Sequence, residues 1–148
     1  MMHEAQQLRI SDQLAEMDFA MIHDFLARHS AWARDIPAAT LRQALAHSYC
    51  VGGFVGAQQV SFMRLVTDYA TFAYLSDVFV LPAWRGHGFA RQMLQSVLQQ
   101  ECWQRLRRIM LVTSDAHGVY QPLGFTQPAH PERIMEIHRP LVYQQSVE

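Results

Sequence analysis

The chain has 148 residues, 50% of them hydrophobic and 17% charged, with a formal net charge of -1. That length and apolar content fit one domain, residues 1–148, with a buried core, and exclude a disordered chain. The balanced charge gives no reason to expect nucleic acid or an anionic membrane as partner, and the absence of lysine excludes Schiff-base or lysine-nucleophile chemistry.

The opening stretch, MMHEAQQLRI, carries no apolar segment leading to a small-residue cleavage site, so no signal peptide is expected. No apolar run reaches the roughly 20 residues that cross a bilayer, and the expected location is the cytoplasm. Leu8-Arg9-Ile10 reads as a short first strand, followed by a helix whose apolar residues Leu14, Met17, Met21, Ile22, Phe25 and Leu26 recur at helical spacing. HSAWARDIP (29–37) breaks that pattern, and Pro37 suits the first turn of a second helix carrying Leu41, Ala44 and Leu45. From Tyr49 the period changes to that of strands. YCVGGFVG, QVSFMRLVT and TFAYLSDVFVL make three consecutive strands, most simply an antiparallel meander.

Ala90, Met93, Leu94, Val97, Leu98 and Cys102 then mark a helix, and RIMLVTS (108–114) reads as a buried strand. A short helix near Gly118–Leu123 follows, with Phe125 and RIMEIHR (133–139) supplying the last strands. A strand, a helix and a further strand in this order form a right-handed parallel unit, so the sheet is expected to be mixed. Cys50 and Cys102 lie in apolar segments without CxxC spacing and are expected to be buried free thiols. The histidines show no H-x-x-x-H or Cys/His cluster, so no metal is expected.

The chemistry concentrates in FVLPAWRGHGFARQML (79–94), where a strand passes through Arg85-Gly86-His87-Gly88 into a helix. A helix N-terminus offers N–H groups without intrahelical partners, and two glycines permit close approach of a ligand. Arg85 adds a fixed cation suited to phosphate oxygens. A phosphate site and a plain tight turn both fit this stretch. The pattern is neither G-x-G-x-x-G, because Arg91 replaces the third glycine, nor a P-loop.

VLPAWRGHGFA resembles the acetyl-CoA signature of the GNAT superfamily of N-acetyltransferases at Val80, Pro82, Arg85, Gly88 and Ala90. AHGVYQPLGF resembles a second family segment at Ala116, Tyr120, Gly124 and Phe125. SAWARDIP, ATFAYLSDVFV and SDAHGVY are similar to segments of small bacterial members. The resemblance implies an α+β GNAT fold whose mixed sheet of about six or seven strands carries helices on both faces. It also implies direct transfer of acetyl from acetyl-CoA to an amine of a small molecule or peptide.

In that family backbone groups of Arg85, Gly86, His87, Gly88, Phe89 and Ala90 would cradle the coenzyme pyrophosphate. Phe79, Val80 and Leu81 would pair with the pantetheine arm, and the Val80 N–H would polarise the acetyl carbonyl. Thr113 or Ser114 would take the place of an asparagine that bonds the pantetheine, and Tyr120 would protonate the leaving thiolate. Pro122 departs from the family pattern, since it removes an N–H two residues after Tyr120. Asp77 is the candidate base or amine anchor; the plainer reading is a half-buried carboxylate bonded to backbone or to Arg64. Strict alternation puts Tyr74 and Ser76 on the opposite face from Asp77 unless a bulge intervenes. Trp32 is expected to line the acceptor pocket, with Tyr74 and Ser76, whereas Trp84 and Trp103 read as packing residues. A monomer or a homodimer fits the fold. The reading from another class is a non-catalytic module that binds coenzyme A or acetyl-CoA as a sensor; a toxin acting on aminoacyl-tRNA lacks the basic face that RNA requires.

Overall fold

The computed structural model describes residues 7–144, which build a five-stranded sheet in the order β1-β2-β3-β4-β5. β1 (Arg9–Ser11), β2 (Tyr49–Val55), β3 (Gln58–Thr67) and β4 (Phe72–Val80) pair antiparallel, and β5 (Arg108–Met110) runs parallel to β4. The mixed sheet expected from the sequence is therefore present, with fewer strands.

One face of the sheet carries α1 (Phe19–Asp24) and α2 (Ala38–Ala46). Asp18 caps α1 by accepting from the Met21 N–H, and Leu14 and Met17 precede the helix, in or just after a 3-10 turn. α1 widens into a π turn over Phe25–His29, which Ser30 ends by donating its hydroxyl to the Leu26 carbonyl. Pro37 stands at the N-cap of α2, one residue earlier than expected. Ile22, Leu26, Leu41 and Leu45 pack here against Cys50, Phe62 and Phe79. The other face carries α3 (Phe89–Leu98) and α4 (Glu101–Gln104), whose Met93, Leu94, Val97 and Trp103 meet Val51, Met63, Leu65, Ala73 and Leu75.

β4 is bulged. Its pairing to β3 changes from Phe62↔Phe79 to Arg64↔Ser76, and Asp77 sits there in the left-handed region at φ 57°. The bulge reverses the side-chain alternation. Ala73 and Leu75 point to the α3 side, but beyond the bulge Val78 does so, and Phe79 joins the α1–α2 core. Beyond Tyr74↔Met110 the strands β4 and β5 no longer pair. β5 is thus shorter than the expected 108–114, and neither Phe125 nor 133–139 forms a strand among the described residues. The physical reason is that β4 turns away from β5, and among the described residues no strand pairs with the outer edge of β5.

One cysteine differs from expectation as well: Cys50 is buried as expected, its thiol pushed up to about 11 by desolvation, but Cys102 is exposed because it falls on the outer side of the short α4. In the native protein at pH 8, Ellman's reagent should therefore titrate Cys102 quickly and reach Cys50 only after denaturation.

Candidate active site

The end of β4 leads into a 3-10 turn, Pro82–Trp84, and then into the two glycines. Arg85 folds back, its Nε donating to the Val80 carbonyl at 2.9 Å, while the Leu81 N–H donates to Val60 O at 2.9 Å. Gly86 (φ 88°) and Gly88 (φ 75°) occupy the left-handed region, and space is open where a Cβ would stand at either. Backbone angle, not packing, requires these glycines. Gly88 caps α3, leaving the N–H groups of its first turn without intrahelical acceptors.

That turn forms one wall of a cleft of about 340 Å³. Val80, Trp84, Arg85, Gly86 and Gly88 through Arg91 line this wall. Gly118, Val119 and Pro122, from α5 (His117–Tyr120) and the turn after it, line the other. The two sequence motifs, some thirty residues apart in the chain, thus face each other. The free N–H groups of the first turn of α3 and a guanidinium at one wall suit a pyrophosphate. The free edge of β4 from Ser76 to Val80, opened by its divergence from β5, suits an extended amide-bearing arm.

The individual residues fall into place unevenly. Phe79 and Phe89 are buried, with Phe79 stacked on Phe25 at 4.0 Å between ring centroids, so only their backbones are available to a ligand. Leu81 is half-buried and packs toward the α1–α2 core. His87 is exposed beside Phe89 and does not line the cleft; Ala90 does. The Thr113 hydroxyl accepts from the Ala116 N–H at 3.1 Å and so starts α5, while Ser114 is exposed. Tyr120 is half-buried next to Val119, edge-on to Phe125, and burial raises its phenol above the ordinary tyrosine range. The phenol therefore stays protonated at neutral pH; Val119 beside it lines the cleft, and Tyr120 itself does not.

On the opposite face of the sheet lies a polar chain that sequence reasoning reached only in part. Asp77 is 7% exposed, and its two oxygens accept from Trp32 Nε1 at 2.8 Å and Arg64 Nε at 2.5 Å. Arg64 Nη1 continues to Ser48 Oγ at 3.0 Å. The bulge puts Asp77 on the same face as Ser76, which pairs with Arg64, and as Tyr74 two residues before it. This corrects the alternation expectation: a left-handed residue inserts an extra half-turn, so consecutive side chains share a face. Trp32 is 54% exposed, its ring covering the outer side of this chain. Trp84, expected to be a packing residue, instead lines the cleft, with Arg91, Gly118, Val119 and Pro122. Their signal was position: Trp84 and Arg91 flank the glycine turn, and Pro122 closes the short helix. Trp103 is buried against Tyr49, as expected.

Fold and site together define an α+β protein with a phosphate-suited cleft beside the glycine turn and a polar side-chain cluster on the other sheet face. Comparison with known proteins gives the family. A model described as an acetyltransferase (GNAT) domain matches residues 47–127, more than half of the chain. A GNAT-family protein from Xanthomonas campestris pv. campestris is 45% identical, the match covering 94% of this chain and 98% of that one at a TM-score of 0.91. An acetyltransferase-family protein of Gibberella zeae, FG08082, is 38% identical over 103 residues; the match covers 57% of this chain and 58% of the fungal protein, little more than half its length. A Brucella melitensis GNAT acetyltransferase solved with acetyl-CoA shares the fold at a TM-score of 0.64 and 17% identity, over 82% of this chain and 84% of that one. The chain belongs to the GNAT acetyltransferase family.

Replacing Arg64 by alanine would leave the buried Asp77 carboxylate facing only an indole N–H. Arg64→Ala should destabilise the fold by about 3–5 kcal/mol in urea unfolding, the cost of stranding one partner of a buried ion pair.

Proposed function

We propose that the protein transfers acetyl from acetyl-CoA directly to a primary amine of a small molecule or peptide. The observation that carries this reading is the meeting of the phosphate-suited cleft and the free β4 edge at Val80. Bound acetyl-CoA supplies an activated thioester at that meeting point. The N–H groups at the start of α3 and the Arg85 guanidinium hold its pyrophosphate, and the β4 edge orients the pantetheine. The Val80 N–H, at the mouth of the divergence, stabilises negative charge developing on the acetyl oxygen. Tyr120 gives its phenolic proton to the departing sulfur as the carbon–sulfur bond breaks.

The amine approaches from the other face, past Trp32, Tyr74 and Ser76. Both Asp77 oxygens are already bonded, and Arg64 compensates its charge. Asp77 therefore serves better as an anchor that fixes Trp32 and attracts a cationic amine than as the free base. Water takes one proton from the incoming ammonium to free its lone pair, and the proton that nitrogen loses after attack returns through water to the Tyr120 phenolate. The exposed Trp32 ring offers the incoming ammonium a cation–π face.

Calorimetry with acetyl-CoA should show saturable binding at tens of micromolar; no heat at that level would overturn the reading. Against a panel of amines with thiol-release detection, Tyr120→Phe should lower kcat roughly ten-fold or more without loss of coenzyme binding. An unchanged rate removes Tyr120 from the chemistry, and binding with no turnover on any amine makes the protein a coenzyme-binding module.

A further inference from the structure

The cleft beside the glycine turn has lining that neither a pyrophosphate nor an amide-bearing arm uses. Trp84 closes the 3-10 turn after β4, where its backbone N–H donates to the Leu81 carbonyl at 2.8 Å. Its indole is half-buried and lines one wall next to Arg85. On the other wall stand Val119 and Pro122, from α5 and the 3-10 turn Gln121–Leu123. Val119 is 40% exposed, and Pro122 is exposed as well. Gly118 beside them adds no side chain, and the space where its Cβ would stand is open. An indole thus faces two apolar side chains across a slot that is open to water, an arrangement that gains when an apolar face fills it.

The chemistry of the slot selects its occupant. Helix-terminal N–H groups suit phosphate and a strand edge suits amides, whereas the face of an indole suits another flat ring. On the acetyl-transfer reading, on which this inference rests, the donor has one planar ring, its adenine. Two guanidinium groups also border the cleft, Arg85 before the glycines and Arg91 in the first turn of α3. Arg91 stands at the helix end where the macrodipole disfavours a cation, and no acidic side chain shares that turn. A base that carries phosphate offsets that repulsion; a plain apolar group does not.

We propose that Trp84 and Pro122 form an adenine subsite, with the base of the coenzyme lying between the indole and the pyrrolidine ring. Proline at this position gives up an N–H and supplies a rigid apolar face, so the residue that departs from the family pattern builds binding surface. Stacking on the base makes Trp84 an affinity residue for the donor, separate from the groups that act on the thioester.

Adenosine 3′,5′-bisphosphate, which has the base but neither pantetheine nor thioester, is the probe, with coenzyme A beside it. Both should quench the tryptophan emission of the native chain. Trp84→Phe should lose most of that quenching and keep most of the affinity, because a phenyl ring still stacks. In calorimetry Trp84→Ala should weaken both ligands roughly ten-fold, with far-UV circular dichroism unchanged. Coenzyme A that binds the native and Trp84→Ala proteins equally, or binds without quenching, overturns the subsite and leaves the acetyl-transfer reading standing. Coenzyme A binding that depends on Trp84 while the bisphosphate fails to bind puts the pantetheine on the indole and overturns it too. A native chain that binds no coenzyme A overturns both.

Discussion

The arrangement of the site depends on one residue placed where a strand would not normally hold it. Asp77 occupies left-handed backbone space in the middle of β4, a conformation that costs a non-glycine residue about 1–2 kcal/mol. Its carboxylate is buried as well, a further penalty unless a cation and donors meet it. Arg64 and Trp32 meet both oxygens, and Ser48 holds Arg64 in turn. The network keeps the bulge in place, and the bulge turns the end of β4 out of register with its neighbours. Without it, β4 would continue straight, Phe79 would leave the α1–α2 core, and no gap would open toward β5.

That gap unites two surfaces of different make. On the proposed function the coenzyme side is built largely from backbone: glycine angles, helix-terminal N–H groups and a bare strand edge, with Arg85 and Trp84 among its side chains. The acceptor side is built from side chains, above all Trp32 and the Asp77–Arg64 pair. Backbone recognition suits a partner common to a whole family, and side-chain recognition suits a substrate that differs between members. On that proposal the sheet keeps the two partners apart until they meet at its opening.

The sequence made the coenzyme side legible because that side depends on residue types with strong local meaning. Two glycines in series after a strand announce unusual angles, and Tyr120 with Gly124-Phe125 stands at a recognisable spacing from them. The acceptor side was only half legible. Alternation placed Asp77 opposite Tyr74 and Ser76, because a bulge depends on how two strands pair and leaves no mark in one strand's own pattern. Arg64 could be named as a partner of Asp77, but not Ser48, which arrives from the far end of α2. The strand count failed for a related reason. RIMEIHR has the composition of a strand, yet whether it becomes one depends on finding an edge, and among the described residues it pairs with none.

In the proposed function the site divides into a coenzyme cleft, whose walls both come from residues 80–122, and an acceptor face across the sheet. Amide hydrogen exchange with and without acetyl-CoA tests that division directly. Acetyl-CoA should slow exchange at residues 78–91 and 113–122, the two walls and the strand edge between them, and leave β2 unchanged. Protection absent from the glycine turn, or centred on the α1–α2 face instead, would contradict the placement of the coenzyme.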